Sequence, residues 1–252
     1  MHDYKNLGIS ISEWIKDYAE TNSIKSLIVG ISGGIDSALV STLCAMTGIE
    51  TYVISLPIRQ KEDQLKRARN HYKWLAERYS NVKFIEKDLT DVFGTFCELF
   101  TDLEKTDLSL ANSRSRIRMT SLYQIASVKS GIVVGTGNKI EDFGIGFFTK
   151  YGDGGVDISP IADLSKTEVR KISSEIGIIE EIISAKPTDG LWDDDHTDED
   201  QIGATYEELE FAMNFHGDYS KLTERESEVL KIYEKLNTQN NHKMIPIPIF
   251  KK

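Results

Sequence analysis

A chain of 252 residues, 40% hydrophobic and 28% charged, suits one large domain or two small ones and carries enough apolar material for a sizeable core. Its formal net charge of −10, from 40 acids against 30 bases, argues against a broad nucleic-acid surface. Cys44 and Cys97, far apart and without CxxC or Cys/His ligand spacing, argue against a disulfide scaffold or a structural zinc site and read as small hydrophobes.

Ile11, Trp14, Ile15 and Tyr18 recur at helical spacing with charged residues between them, which predicts an amphipathic helix rather than a secretion signal. No apolar run is long enough to span a membrane, so a cytoplasmic protein is expected. "SLIVGI" (Ser26–Ile31), "TYVISLP" (Thr51–Pro57), "VKFIEKD" (Val82–Asp88) and "GIVVGTG" (Gly131–Gly137) read as strands, with helical patterns between them. This alternation predicts an α/β fold: a doubly wound, Rossmann-like parallel sheet with helices on both faces. Ligands bind such sheets beyond the carboxyl ends of the strands, and the first and fourth strands both end there in Gly/Ser/Thr turns. Farther on, Ser165 with Glu168 and Thr223 with Glu226 mark two capped helices. Pro246 and Pro248 predict that the tail "NHKMIPIPIF" is extended throughout. With no repeat and no clear linker, residues 1–252 read as one domain: a core over about 20–180 and a C-terminal helical extension over about 181–252.

The chemistry begins at Gly30–Ser37, "GISGGIDS". A strand, a glycine turn and a helix start form an anion site, because amides point outward and the helix dipole favours negative charge. Ser32 and Ser37 add hydroxyls. The commonest phosphate loop would carry a lysine; here Asp36 stands instead, and an aspartate beside polyphosphate calls for Mg²⁺ between them. The bland alternative is that Ser32 and Asp36 merely serve the helix start and Gly33-Gly34 turns the chain.

SGGIDS resembles the signature of the PP-loop ATP pyrophosphatases, which cleave ATP to AMP and pyrophosphate. Six further segments follow in order: "NSRSRIRMTSLYQIA", "GTGNKIE", "FFTKYGDGGVDISPIADLSKTEV", "KPTDGLW", "TDEDQIGATYEEL" and "HKMIPIP". Together they resemble the ammonia-dependent NAD synthetase family over nearly the whole chain. The resemblance implies amidation of deamido-NAD (nicotinate adenine dinucleotide) by ammonia through an acyl-adenylate, giving NAD, AMP and pyrophosphate. It also implies a homodimer and a five-stranded sheet in the order 3-2-1-4-5. By matched position, ATP contacts are Gly30, Ile31, Ser32, Gly33, Gly34, Ile35, Asp36, Ser37, Thr136, Lys166 and Thr188. Deamido-NAD contacts are Arg116, Lys150, Asp157, His242 and Lys243, and Mg²⁺ ligands are Asp36 and Glu141. Asp36, Asp153 and Lys166 carry catalysis, with Asp153 as the base for ammonium or its holder.

Without the family, Glu141 and Asp142 could start a helix, and Lys150 and Lys166 could be surface lysines. Arg114, Arg116 and Arg118 alternate, so they cannot share one helix face. The chain departs from the family pattern at Arg114, at Ile140 and in Asp142–Gly146. No Cys/His/acid arrangement suggests a built-in glutaminase, so the nitrogen is expected as free ammonia or from a separate glutaminase. The segments near 142–155 and 188–200 are expected to order on ligand binding. The alternatives are another PP-loop amidotransferase, such as a GMP synthetase-like enzyme, and a non-catalytic adenine-nucleotide sensor.

Overall fold

The computed structural model describes residues 3–103, 106–185 and 198–252. Four strands form one parallel sheet: β1 (Ser26–Gly30), β2 (Glu50–Ser55), β3 (Val82–Glu86) and β4 (Gly131–Val133), in the order β3-β2-β1-β4. Strand order reverses between β1 and β4, the two strands whose carboxyl-end turns the sequence marks for ligand binding.

The expected fifth strand is reduced to a single parallel bridge between Val134 and Ile158. Asp157 N–H donates to Val133 O and Gly135 N–H to Ile158 O, both at 2.9 Å or less. Pro160, with no N–H to donate, follows two residues later, and the ladder does not extend past this bridge.

One face of the sheet is covered by α1 (Tyr4–Thr21), α2 (Ile35–Met46), α3 (Glu62–Arg78) and α6 (Lys166–Glu175) around a core that includes Ile15, Leu39, Leu75 and Ile172. The opposite face packs Ile28, Tyr52, Ile54 and Val133 against α5 (Asp107–Val128), with α4 (Thr90–Glu98) leading into that helix. Ser165 and Thr223 cap α6 and α10 (Glu224–Met244) through capping boxes with Glu168 and Glu226, as the sequence predicts. Short helices α7 (Glu180–Ile183) and α8 (Asp198–Ile202) precede α9 (Tyr206–Asn214), which packs with α10 in a cluster of their own. Among the described residues, no helix is long and apolar enough to cross a membrane.

The tail differs from expectation. His242, Lys243 and Met244 are the last turn of α10, and only from Ile245 is the backbone extended. Proline restricts itself and the residue before it, so Pro246 stops the helix at Met244 and leaves the preceding turn intact.

A π-helical turn, Lys139–Ile145, lies between β4 and α6. Asn138 caps it by accepting from the N–H groups of Ile140 and Glu141 at 3.1 Å each. Gly146 closes it with φ at 63°, a left-handed conformation, and a Cβ there would sit 2.5 Å from Asn240 Cβ. The last carbonyls of the turn are taken by α10. Asn237 Nδ2 donates to Gly144 O at 2.7 Å, Asn240 Nδ2 to Ile145 O at 2.8 Å, and Lys243 Nζ to Gly146 O. Residues spaced by three on one helix thus satisfy three successive carbonyls.

Candidate active site

A cleft of about 670 Å³ opens at the carboxyl ends of β1 and β4. Gly30, Ile31, Ser32, Gly34, Ile35, Asp36 and Ser37 line it, as do Thr136, Glu141, Asp153 and Lys166. Gly33 does not line the cleft but shapes the loop, with φ at 86° and no room for a Cβ, which would lie 2.7 Å from Gln64 O. Ser32 Oγ accepts from Gly34 N–H at 3.2 Å and meets Ser37 Oγ at 3.2 Å, so the hydroxyls brace one another around the turn. Gly34, which has no capping side chain, is the N-cap of α2. The positive end of that helix therefore stands at the cleft wall.

The centre of the site joins three distant segments. Lys166 Nζ lies 2.5 Å from Asp36 Oδ2 and 3.0 Å from Glu141 Oε1. Asn138 Nδ2 donates to Asp36 Oδ1 at 3.3 Å, and Tyr206 OH donates to Glu141 Oε1 at 2.5 Å. Lys166 is only 2% exposed, so this first residue of α6 is no surface lysine. Burial opposes its charge, but the carboxylates of Asp36 and Glu141 outweigh that and hold its pKa well above the ordinary lysine value. Burial drives Asp36 upward against the Lys166 ammonium, whereas for Glu141 the ammonium and the tyrosine hydroxyl overcome burial and hold it low. Asp142, beside them, is pushed up to about 8 by burial and by the charges of Glu141, Asp153 and Asp36.

Asp153 lines the cleft on the Gly152–Gly155 loop, exposed on one side. Its Oδ1 accepts from Ser115 Oγ at 2.7 Å and from Thr149 N–H at 3.0 Å, and its own N–H donates to Ser115 Oγ at 2.8 Å. Desolvation by the surrounding protein pushes its pKa upward despite these donors.

At the cleft mouth, Arg116 Nε donates to Lys150 O at 3.2 Å, and Lys150 Nζ donates to His242 O at 2.9 Å. Lys243 Nζ donates to Phe148 O at 2.8 Å, and burial lowers its pKa. Arg116, Lys150, His242 and Lys243 all line the cleft. Asp157 is the exception among the expected contacts. It lies outside the lining, its Oδ2 accepts from Val133 N–H at 2.7 Å, and burial together with the Asp157 charge pushes the Tyr123 phenol up to about 12. The three alternating arginines do separate. Arg116 and Arg118 reach the cleft, whereas Arg114 is buried with its guanidinium 4.8 Å from the Phe93 ring centre.

Thr188 and most of the 188–200 segment lie outside the described residues. The 142–155 segment is described in full, held by its bonds to α5 and α10. The sequence assigns no site role to Asn138, Ser115, Arg118 or Tyr206. Asn138 carried a local signal, being an asparagine three residues before an acid at a helix start. The others are brought in by tertiary packing alone.

The family model described as NAD synthase matches residues 9–247. The NH(3)-dependent NAD(+) synthetase of Alkaliphilus metalliredigens is 34% identical over 242 residues, 94% of each chain. Its counterpart in Methanococcoides burtonii is 39% identical over 208 residues, covering 79% of this chain and 75% of the relative. Among solved structures, NMN synthetase from Francisella tularensis superposes with a TM-score of 0.89 at 25% identity over 100% of both chains. An NH3-dependent NAD synthetase from Campylobacter jejuni, at 23% identity and a TM-score of 0.80 over 99% of this chain and 100% of that one, shares the fold. With the signature loop at the switch point of the sheet and the family model spanning nearly its whole length, the chain belongs to the NAD synthase family, ligases that use ATP and ammonia to convert deamido-NAD into NAD.

Proposed function

We propose that this chain performs the family reaction with the residues gathered in the cleft: ATP and deamido-NAD form an acyl-adenylate, and ammonia displaces AMP to give NAD. The observation that carries the reading is the Lys166 ammonium set between Asp36 and Glu141 at the N-terminus of α2, where a polyphosphate is best received.

In the first step, a carboxylate oxygen of nicotinate attacks the α-phosphorus of ATP, and the bond to pyrophosphate breaks. Residues Gly30–Ser37, Thr136 and Lys166 bind ATP and neutralise the leaving pyrophosphate, with Thr188 assigned there from sequence. Asp36 and Glu141 are the residues for Mg²⁺. They fit: the carboxylates of Asp36 and Glu141 share the single ammonium of Lys166, with Asp142 adding charge beside them, and that surplus of carboxylate suits a further cation. Among the described residues no group of three or more His, Cys, Asp or Glu side chains could hold a metal alone. Two carboxylates with phosphate oxygens and water completing the shell is the arrangement Mg²⁺ favours. When bound, the ion supplies charge neutralisation on the phosphates. Arg116, Lys150, His242 and Lys243 hold the dinucleotide at the mouth, while Asp157 buttresses the wall through Val133.

In the second step, ammonia attacks the acyl carbon, the tetrahedral oxyanion collapses, and AMP leaves. Ammonium has no lone pair, so a proton must first pass to a base. Asp153 lines the cleft and accepts that proton, desolvation having raised its affinity for one.

The test is pyrophosphate release from ATP and ammonium with and without deamido-NAD. Strict dependence on deamido-NAD is expected, and release with xanthosine monophosphate instead would select a GMP synthetase-like reaction. The whole-chain superposition on the Francisella NMN synthetase favours a second reading, with nicotinate mononucleotide as the acid. The two acids in the same assay separate these readings by kcat/KM.

A homodimer is supported by the exposed apolar side chains Val92, Leu99, Phe100, Leu108 and Val128 on and around α4 and α5. Light scattering of the purified chain tests it. The ammonia comes from solution or from a separate glutaminase, the working place is the cytoplasm, and residues 1–252 act as one domain.

A further inference from the structure

We propose that Tyr206 is a positioning residue for this reaction, fixing the Glu141 carboxylate through its hydroxyl and steering the Lys166 ammonium across its ring. The inference rests on the roles just assigned to Glu141 and Lys166.

Tyr206 is fully buried and opens α9. Thr205 caps that helix in a capping box with Glu208, and the Tyr206 N–H donates to Glu199 Oε1 at 3.0 Å, so the backbone beneath the ring is held on both sides. The ring packs in the cluster of Ile140, Ile145, Leu209 and Val229. Its hydroxyl reaches Glu141 Oε1, the same oxygen that accepts from Lys166 Nζ. The ammonium lies 4.6 Å from the ring centre, over the electron-rich face.

One side chain therefore touches both the carboxylate and the ammonium paired with it. A phenol is a neutral donor, so a divalent cation arriving at Glu141 does not repel it as it repels an ammonium. The hydroxyl keeps the carboxylate oriented while Lys166 moves toward phosphate. The ring gives the displaced ammonium a favourable surface on that path. Partners that orient a metal ligand in this way commonly change metal affinity by about 10–100-fold when removed.

Two variants separate the two contacts. Tyr206→Phe removes the hydroxyl and keeps the ring; Tyr206→Leu removes both. Mn²⁺ is the probe, measured by electron paramagnetic resonance on enzyme carrying a non-cleavable α,β-methylene ATP analogue, so the readout needs no acid substrate. Tyr206→Phe should weaken Mn²⁺ by about tenfold with KM for deamido-NAD unchanged, and saturating Mg²⁺ should restore most of kcat. Tyr206→Leu should lose further kcat that Mg²⁺ does not restore. In a Glu141→Gln background, Tyr206→Phe should have no additional effect on Mn²⁺, which a general structural role would not predict. Unchanged Mn²⁺ affinity in Tyr206→Phe overturns the proposal, and so does failure of that variant to fold, since the hydroxyl would then serve the fold. Wild-type enzyme that binds Mn²⁺ with the analogue but does not turn over deamido-NAD would sink the substrate assignment and leave Tyr206 to be judged by Mn²⁺.

Discussion

The ammonium of Lys166 meets the carboxylate of Asp36 at 2.5 Å across 130 positions of sequence. On the function proposed above, Mg²⁺ takes the same oxygens, which makes lysine and metal rivals. Lys166→Met should therefore bind Mn²⁺ more tightly than wild type in the absence of nucleotide, while losing at least about a hundredfold in turnover. It should also lose about 3–5 kcal/mol of stability without added cation, because two carboxylates only 17% exposed are left without their shared cation, and Mg²⁺ should return part of it. Urea denaturation with and without Mg²⁺ reads this. Equal or weaker Mn²⁺ binding by the variant would show that lysine and metal do not compete.

Asp153 should govern the second chemical step and not the first. Its carboxylate accepts from Ser115 and Thr149, contacts that Asp153→Asn preserves in part. That variant should still release one equivalent of pyrophosphate in a burst, while amidation falls by about 10²–10⁴-fold at limiting ammonium. Rapid-quench measurement of pyrophosphate and NAD separates the steps. Unimpaired amidation would remove Asp153 from the mechanism.

His71 makes stability depend on pH. It is buried, its Nε2 lies 2.9 Å from Ser41 Oγ, and its ring stacks on Trp74. Burial lowers its pKa from 6.5 to about 4. Between those values the unfolded chain binds more protons than the folded one. The stabilisation is therefore complete above about pH 6.5 and is lost as pH falls toward about 4, amounting to about 3 kcal/mol in all. Denaturation curves for wild type and His71→Asn over that range should differ in slope by this share. Parallel pH profiles would show that His71 is not the titrating group.

The π-helical turn should depend on α10 for its stability. Asn237→Leu would leave the Gly144 carbonyl without its side-chain donor, and a lost partner of this kind costs about 1–3 kcal/mol. The melting temperature should fall, and the half-saturating Mg²⁺ should rise with it, because Glu141 rides on that turn. A destabilised variant with unchanged Mg²⁺ dependence would show that the turn holds Glu141 without help from α10.

Periodicity and glycine chemistry made the sheet and its ligand edge legible. Buried runs such as Ser26–Ile31 have one reading, and Gly33 can turn only because it lacks a Cβ. The capping boxes at Ser165 and Thr223 were equally local and equally readable. The fifth strand was not, because its shortening to one bridge depends on how the chain after Val134 meets the following loop. Lys166 reads as a surface lysine until Asp36 and Glu141 arrive from other segments. Tyr206 reads as one more core aromatic for the same reason: nothing within a helical turn of it reports the carboxylate that its hydroxyl will find.

The wide turn from Lys139 to Ile145 also sets a phase. Successive residues on a helical turn point in different directions, and here Glu141, not its neighbour Asp142, pairs with Lys166 at 3.0 Å. Lengthening the hydrogen-bond span by one residue, and clamping the end of the turn with Asn237 and Asn240, selects which of two adjacent acids meets the lysine. The identity of the acid at the centre is therefore fixed by angular register as much as by residue type. One residue gained or lost in this short span would exchange the two neighbours while leaving the composition of the cleft nearly unchanged.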